Sequence, residues 1–214
     1  MNLIDTLGLA LGAAWTSGIN LYATVAVLGL LQRYELVSRL PGGLDVLANP
    51  WVIGTACALY VVEFFADKVP YVDTAWDAVH TFIRVPAGAV LALAATAELH
   101  PAARAVAVLA GGGLALSTHG TKATARAAAN VTPEPFSNWA LSLAEDVVAI
   151  GGVVLAVLSP WVILSVILIF VVVAAWLLPK IARRLARLVA HARRLFGGRA
   201  NEGADEGRRG AARR

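Results

Sequence analysis

Apolar positions fall in long runs separated by short polar breaks, and six such runs can be marked along the chain. The first extends from about Ile4 to Leu31 and is interrupted by Thr16-Ser17-Gly18-Ile19-Asn20. The second is Trp51 to Ala66. The third is Phe82 to Leu99, with Pro86 and Gly88 inside it, and the fourth is Ala102 to about Ser117, with Gly111-Gly112-Gly113. The fifth, Phe136 to Leu158, carries Glu145 and Asp146. The sixth, Trp161 to Leu178, is an 18-residue stretch without a charge. A hydrocarbon core of ~30 Å takes about 20 apolar helical residues to cross. The pattern therefore predicts an all-α protein, a polytopic bundle of about six transmembrane helices. Pro41-Gly42-Gly43 and Thr132-Pro133-Glu134-Pro135 mark the two clearest loops.

Two further stretches have a helical period with one polar side. Between Tyr71 and Arg84, Asp73, Asp77, His80 and Arg84 recur at spacings of four, three and four, while Val72, Trp76, Val79 and Ile83 share the opposite side. This predicts a short amphipathic helix that lies at the interface or folds back into the bundle. From Lys180 to Phe196 the apolar positions Ile181, Leu185, Leu188 and Leu195 are flanked by arginines, a pattern for a helix resting on a membrane surface. The Gly-, Ala- and Arg-rich end beyond Gly197 is expected to be disordered. The chain thus divides into a membrane domain, residues 1–179, and a basic tail, residues 180–214.

Composition supports the same division. Hydrophobic residues make up 58% and charged residues 15%, against ~25% charged in soluble chains, so lipid rather than a soluble core must take up the apolar surface. The net charge of +4 is unevenly spread. From Lys180 onward there are eleven Lys/Arg and three Asp/Glu, whereas the residues before it hold seven and eleven. A basic segment beside a span marks the cytoplasmic side and touches anionic lipid, here through Lys180, Arg183, Arg184 and Arg187, and nucleic acid is not the expected partner. An even number of spans then puts both termini in the cytoplasm, with Lys68, Arg84, Lys122 and Arg126 in cytoplasmic loops. Met1-Asn2-Leu3-Ile4-Asp5 lacks the basic start of a secretory signal, so the first run is read as a retained helix. The single cysteine, Cys57, permits no internal disulfide.

Ionised groups in hydrocarbon cost ~2.5–3.5 kcal/mol on insertion scales, so charges held there need a partner, a wet cavity or a task. Four places qualify. Glu63 and Asp67 lie four apart on one helix face, with Lys68 beside them; a helix end reaching interfacial water would account for Asp67 and Lys68, less easily for Glu63. Glu145 and Asp146 lie inside the fifth run, with Asn138 and Ser142 at helical spacing. Adjacent acids diverge by about 100°, so at most one of them is expected to share a cavity with those partners. His119, Lys122 and Arg126 form a basic stripe in which His119 can titrate near neutral pH, while the two cations also suit an ordinary positive-inside helix end. Finally, Thr16-Ser17-Gly18-Ile19-Asn20 fits either close helix packing or a broken helix whose backbone dipoles face a site, with Asn20 the residue to watch.

At an offset of 100, Ser17, Ala23 and Thr24 match Ser117, Ala123 and Thr124, which raises the expectation of two inverted three-span halves. No hydrolase, nucleotide-binding or zinc-ligand pattern occurs, so neither an enzyme, a cofactor nor a metal is expected. The strings SGINLYAT, EFFADKVPYVDTAWD with IRVPAGA, and HGTKATARAAANVTPEPFSNWALSLAED resemble an uncharacterised bacterial family of integral membrane proteins described only as a domain of unknown function. The resemblance spans roughly residues 5 to 178. It implies a multi-span protein of the bacterial cytoplasmic membrane and supplies no activity. The residues themselves point to a transporter or channel, possible as a homodimer, for a cation or proton-coupled small solute. Its pathway would be lined by Asn20, Glu63, Asp67, His119, Asn138, Glu145 and Asp146. A non-transporting scaffold or lipid-organising protein, with the polar groups paired internally, is the alternative. An intramembrane lipid enzyme is a third class that no motif demands.

Overall fold

The computed structural model describes residues 2–37, 40–130, 135–177, 179–181, 183 and 187, and among them all regular structure is helical. In chain order the helices are α1 (Leu3–Ile19), α2 (Leu21–Arg33), α3 (Pro50–Ala66), α4 (Val72–Ala95), α5 (Pro101–Ala129), α6 (Pro135–Leu158) and α7 (Pro160–Ile181). A 3-10 helix, Gly42–Ala48, occupies the segment predicted as a simple Pro-Gly-Gly loop. Local chemistry sets the ends. Asn2 and Asp5 form a reciprocal capping box at the start of α1. Asn49 caps α3 and Pro50 opens it, where a missing N–H costs nothing.

The helices α4, α5, α6 and α7 are long and apolar enough to cross a membrane, and α1, α2 and α3 are shorter apolar helices. At 17 residues, α3 sits at the short limit for a span. The chain is therefore a multi-pass membrane protein. It divides into two compact units, Met1–Val171 and Val172–Arg214. All of the packing and chemistry of α1–α6 belongs to the first. In the second, Lys180 Nζ lies 3.1 Å over the Trp176 ring and Arg183 Nε donates to the Pro179 carbonyl at 3.0 Å.

The first apolar run does not form one span. It folds as two helices that share Asn20 as the C-cap of α1 and the N-cap of α2. Close approaches give their directions. A Cβ on Gly8 would meet Pro160, on Gly12 Ala156, and on Gly152 Thr16, so α1 runs antiparallel to α6 and ends level with the middle of that helix. From there α2 returns: Tyr22 hydrogen-bonds His80 in the first half of α4, whereas Gly29 abuts Leu47 and Ile53 near the start of α3. Together α1 and α2 make a re-entrant hairpin with its tip at Asn20, buried inside the bundle, where irregular backbone at membrane depth can be tolerated.

A second difference concerns α4. The segment predicted as a separate amphipathic helix, Tyr71 to Arg84, is the first half of one continuous helix that passes through Pro86. Its polar stripe of Asp73, Asp77, His80 and Arg84 is buried, while Val72, Val79 and Ile83 are exposed. The helix is inside-out relative to a soluble one, as lipid on the outer face and polar partners within would require.

Candidate functional site

The polar stripe of α4 meets a second one on α5. His119, Lys122 and Arg126 follow one face of that helix and are all buried, as are Glu63 and Asp67 on and just after α3. The expectation that Arg84, Lys122 and Arg126 lie in loops is corrected: each sits within a helix, at 0%, 5% and 0% exposure. Their long side chains reach carboxylates on neighbouring helices instead of water.

The contacts form a continuous column. At its outer end Asn130 donates to both oxygens of Asp73 at 2.9 and 3.1 Å and accepts from Asn138 Nδ2 at 3.0 Å. Arg126 comes next. Its Nη1 donates to the Asp67 carbonyl at 2.6 Å and lies 3.6 Å from Asp73, while Nη2 binds Asp67 Oδ2 at 3.0 Å and pairs closely with Glu145. Lys122 Nζ occupies the centre, 3.0 Å from Asp67, 3.3 Å from Glu63, 3.4 Å from Glu145, 3.7 Å from Asp77 and 3.2 Å from the Ile19 carbonyl. Arg84 closes the inner end, bridging Glu63 and Asp77. It is twelve residues into α4, about 18 Å along the helix at ~1.5 Å per residue, so the column reaches the middle of the bundle.

Donor bookkeeping fixes the state of His119. Arginine only donates, so the 3.0 Å contact from Arg84 Nη1 makes His119 Nδ1 an acceptor. The proton must then sit on Nε2, which faces the Asp77 carbonyl at 3.0 Å and Thr81 Oγ1 at 2.8 Å. His119 is neutral in this arrangement. His80 Nδ1 donates to the Trp76 carbonyl at 2.8 Å, and its Nε2 shares a 3.0 Å hydrogen bond with the Tyr22 hydroxyl.

The re-entrant tip touches this column with both helix ends. The carbonyl of Ile19, last residue of α1, accepts from Lys122, and Asn20 Nδ2 donates to Asp146 Oδ1 at 3.1 Å beside the first turn of α2. A helix C-terminus thus faces a cation and a helix N-terminus an anion, the favourable sense of both dipoles. Glu145 and Asp146 both engage buried partners. Their 100° divergence lets them serve different partners: Glu145 reaches α5, Asp146 the hairpin. Ser142 accepts from Lys68 Nζ at 3.2 Å, and burial pushes that ammonium below the ordinary lysine range against the pull of Asp146 and Asp67.

All seven predicted pathway residues are in or against this column: Glu63, Asp67, His119 and Glu145 in it, Asn20 and Asp146 at its hairpin side, Asn138 at its outer end. Asn130 and Tyr22 escaped notice as isolated polar residues without a periodic partner. Asp73, Asp77, His80 and Arg84 were visible as a stripe, but their spacing gave no sign of which side faced lipid. Five carboxylates, Glu63, Asp67, Asp73, Asp77 and Glu145, pair with three buried cations, Arg84, Lys122 and Arg126. Glu63 Oε2, Asp67 Oδ1 and Asp77 Oδ2 are buried and accept no hydrogen bond among the described residues. Among those residues no three His, Cys, Asp or Glu side chains are gathered as metal ligands. A separate cavity of about 530 Å³ between α2, α3 and α4 is apolar, lined by residues such as Val25, Trp51, Leu59 and Leu91, and by none of the predicted pathway residues.

Of the tail residues, Lys180 is half-buried, Arg183 and Arg187 are exposed, and Arg184 lies outside the described residues, as do the Thr132–Glu134 loop and most of the predicted tail helix.

A family model described as Domain of unknown function (DUF4126) matches residues 7–180, which takes in every helix of the column. The chain belongs to this family. No curated protein and no solved structure matches it. The family match ends where the basic tail begins, so the column is part of the family domain and most of the tail is not.

Proposed function

We propose that the protein is a transporter or channel for a cation or proton-coupled small solute, with the column as its coupling site. The observation that carries this reading is a buried ionic column in which five carboxylates share three cations, standing against the tip of a re-entrant hairpin. Packing alone does not call for it. A buried ion pair is often no more stabilising than apolar residues of the same volume, and each surplus carboxylate adds a desolvation cost. Such groups within a membrane domain mark ion pathways and proton relays. Broken helices whose ends point at the charged groups are the usual frame for ion and substrate sites in secondary transporters. Protonation of a surplus carboxylate, or arrival of a cation, relieves the same imbalance, which links the two kinds of cargo.

The fuller setting we propose is the bacterial cytoplasmic membrane, with the basic tail on the cytoplasmic side against anionic lipid and a homodimer as the working unit. A second reading, a scaffold or lipid-organising protein, is favoured by the extent of internal pairing. In purified protein reconstituted in liposomes, a proton gradient should drive uptake of one or more members of a panel of monovalent cations and small solutes. Glu63→Gln and Glu145→Gln should lower that flux about tenfold or more with the helical circular dichroism unchanged. Wild-type liposomes as tight as empty ones would remove the transport reading and leave the scaffold.

A further inference from the structure

Lys122 is held unlike any other cation among the described residues. An ammonium has three N–H donors, yet five oxygens surround Nζ between 3.0 and 3.7 Å, four from carboxylates and one from a backbone carbonyl. Three of those four carboxylates, Glu63, Asp67 and Asp77, turn only one oxygen to a donor, and the other is buried without one among the described residues. The carbonyl is that of Ile19, where α1 stops at Asn20. Carboxylates converging with a helix-end carbonyl are the ligand set of a cation site at a broken helix. Here the cation is covalently attached.

We infer that the cage around Lys122 is a monovalent-cation site of potassium or ammonium size, occupied by the protein's own ammonium. Distance fixes the class. Magnesium takes oxygens at 2.0–2.1 Å and calcium at 2.3–2.6 Å, whereas the cage oxygens stand 3.0 Å or more from its centre. Charge agrees, because the occupant balances one positive charge. Removing the side chain beyond Cβ leaves the oxygens, the space and an uncompensated negative charge, so a free monovalent cation takes the place of Nζ. On the transport reading, on which this one step rests, the cargo is a monovalent cation that exchanges places with the ammonium as Lys122 swings aside.

The test is thermal unfolding of purified full-length protein in detergent, in potassium, sodium, ammonium or calcium chloride against choline chloride at equal ionic strength. Wild type should melt at the same temperature in potassium and choline. Lys122→Ala should melt lower in choline and recover in potassium or ammonium, each tenfold rise above the dissociation constant adding roughly 3–6 °C to Tm. Lys122→Ala/Asp67→Asn, which removes one charge of each sign, should be more stable in choline than Lys122→Ala and lose most of the potassium response. A folded Lys122→Ala protein with the same Tm in all cations overturns the inference. So does a calcium response stronger than potassium's, or failure to fold in every cation, because a cage open to a free ion is restored by saturating potassium. Flux in liposomes is read separately: the cage can bind ions in a protein that does not transport, and a transporter can lack the cage.

Discussion

At the scale of single residues, the column trades hydration for pairing, and removing one partner is far more costly than never having had either. Arg126 shows this best, because it is fully buried and serves Asp67, Asp73 and Glu145 at once. Arg126→Gln leaves carboxylates in a dry environment with fewer donors, and such losses cost about 3–5 kcal/mol. The double variant Arg126→Gln/Glu145→Gln should recover part of that loss, giving a coupling energy of roughly 1–3 kcal/mol in a double-mutant cycle of detergent unfolding. Additivity of the two single effects would show that the pair does not act as a unit. The sequence made Glu63, Glu145 and His119 visible through cost alone, since charges are rare inside apolar runs. It underrated Lys122 and Arg126, because a basic residue near a helix end has a cheap alternative in interfacial water. Only the three-dimensional fact that α5 runs on to Ala129 beside α3 and α6 withdraws that alternative.

At the scale of elements, small residues decide how closely the hairpin approaches the column. A Cβ on Gly18 would stand 1.8 Å from Thr118 Oγ1 and 2.5 Å from the Ala115 carbonyl, whereas one on Gly113 meets nothing within 4 Å. Thr118 cannot simply swing away, because its hydroxyl donates to the Trp15 carbonyl at 3.0 Å across the same contact. Gly18→Ala should therefore push α1 from α5, displace the Ile19 carbonyl from Lys122 and destabilise the protein by about 1–3 kcal/mol. Gly113→Ala should be neutral or slightly stabilising, since alanine is the better helix former. Equal unfolding curves for the two variants would refute the close approach. The run containing Gly18 was legible as a place where either packing or breakage occurs, and the structure uses both: Gly18 packs, and two residues later Asn20 breaks. Helix α5 carries three of the matching residues at the offset of 100 yet continues unbroken through Gly120, so the two segments differ in backbone geometry despite those identities.

At the scale of the whole molecule, hydropathy established a polytopic helical bundle but could not count its crossings, because a re-entrant pair and a single long span have the same composition. The difference has a direct consequence for topology. If Ile4 to Leu31 crossed the membrane once, the residues before α1 and those after α2 would lie on opposite sides. With the chain turning back at Asn20, they should lie on the same side, together with the α4–α5 connection at Glu98, and the α3–α4 turn at Val69 on the other. Cys57 is the only native thiol, so a Cys57→Ala background allows single cysteines at Leu3, Leu36, Glu98 and Val69 to be labelled in intact cells with a membrane-impermeant maleimide. Leu3, Leu36 and Glu98, all exposed, should react alike and Val69 oppositely. Opposite labelling of Leu3 and Leu36 would mean that the first run spans the bilayer. The Ile19 carbonyl and Asn20 would then no longer form a buried tip, and the meeting of helix ends with Lys122 and Asp146, on which the coupling site depends, would go with it.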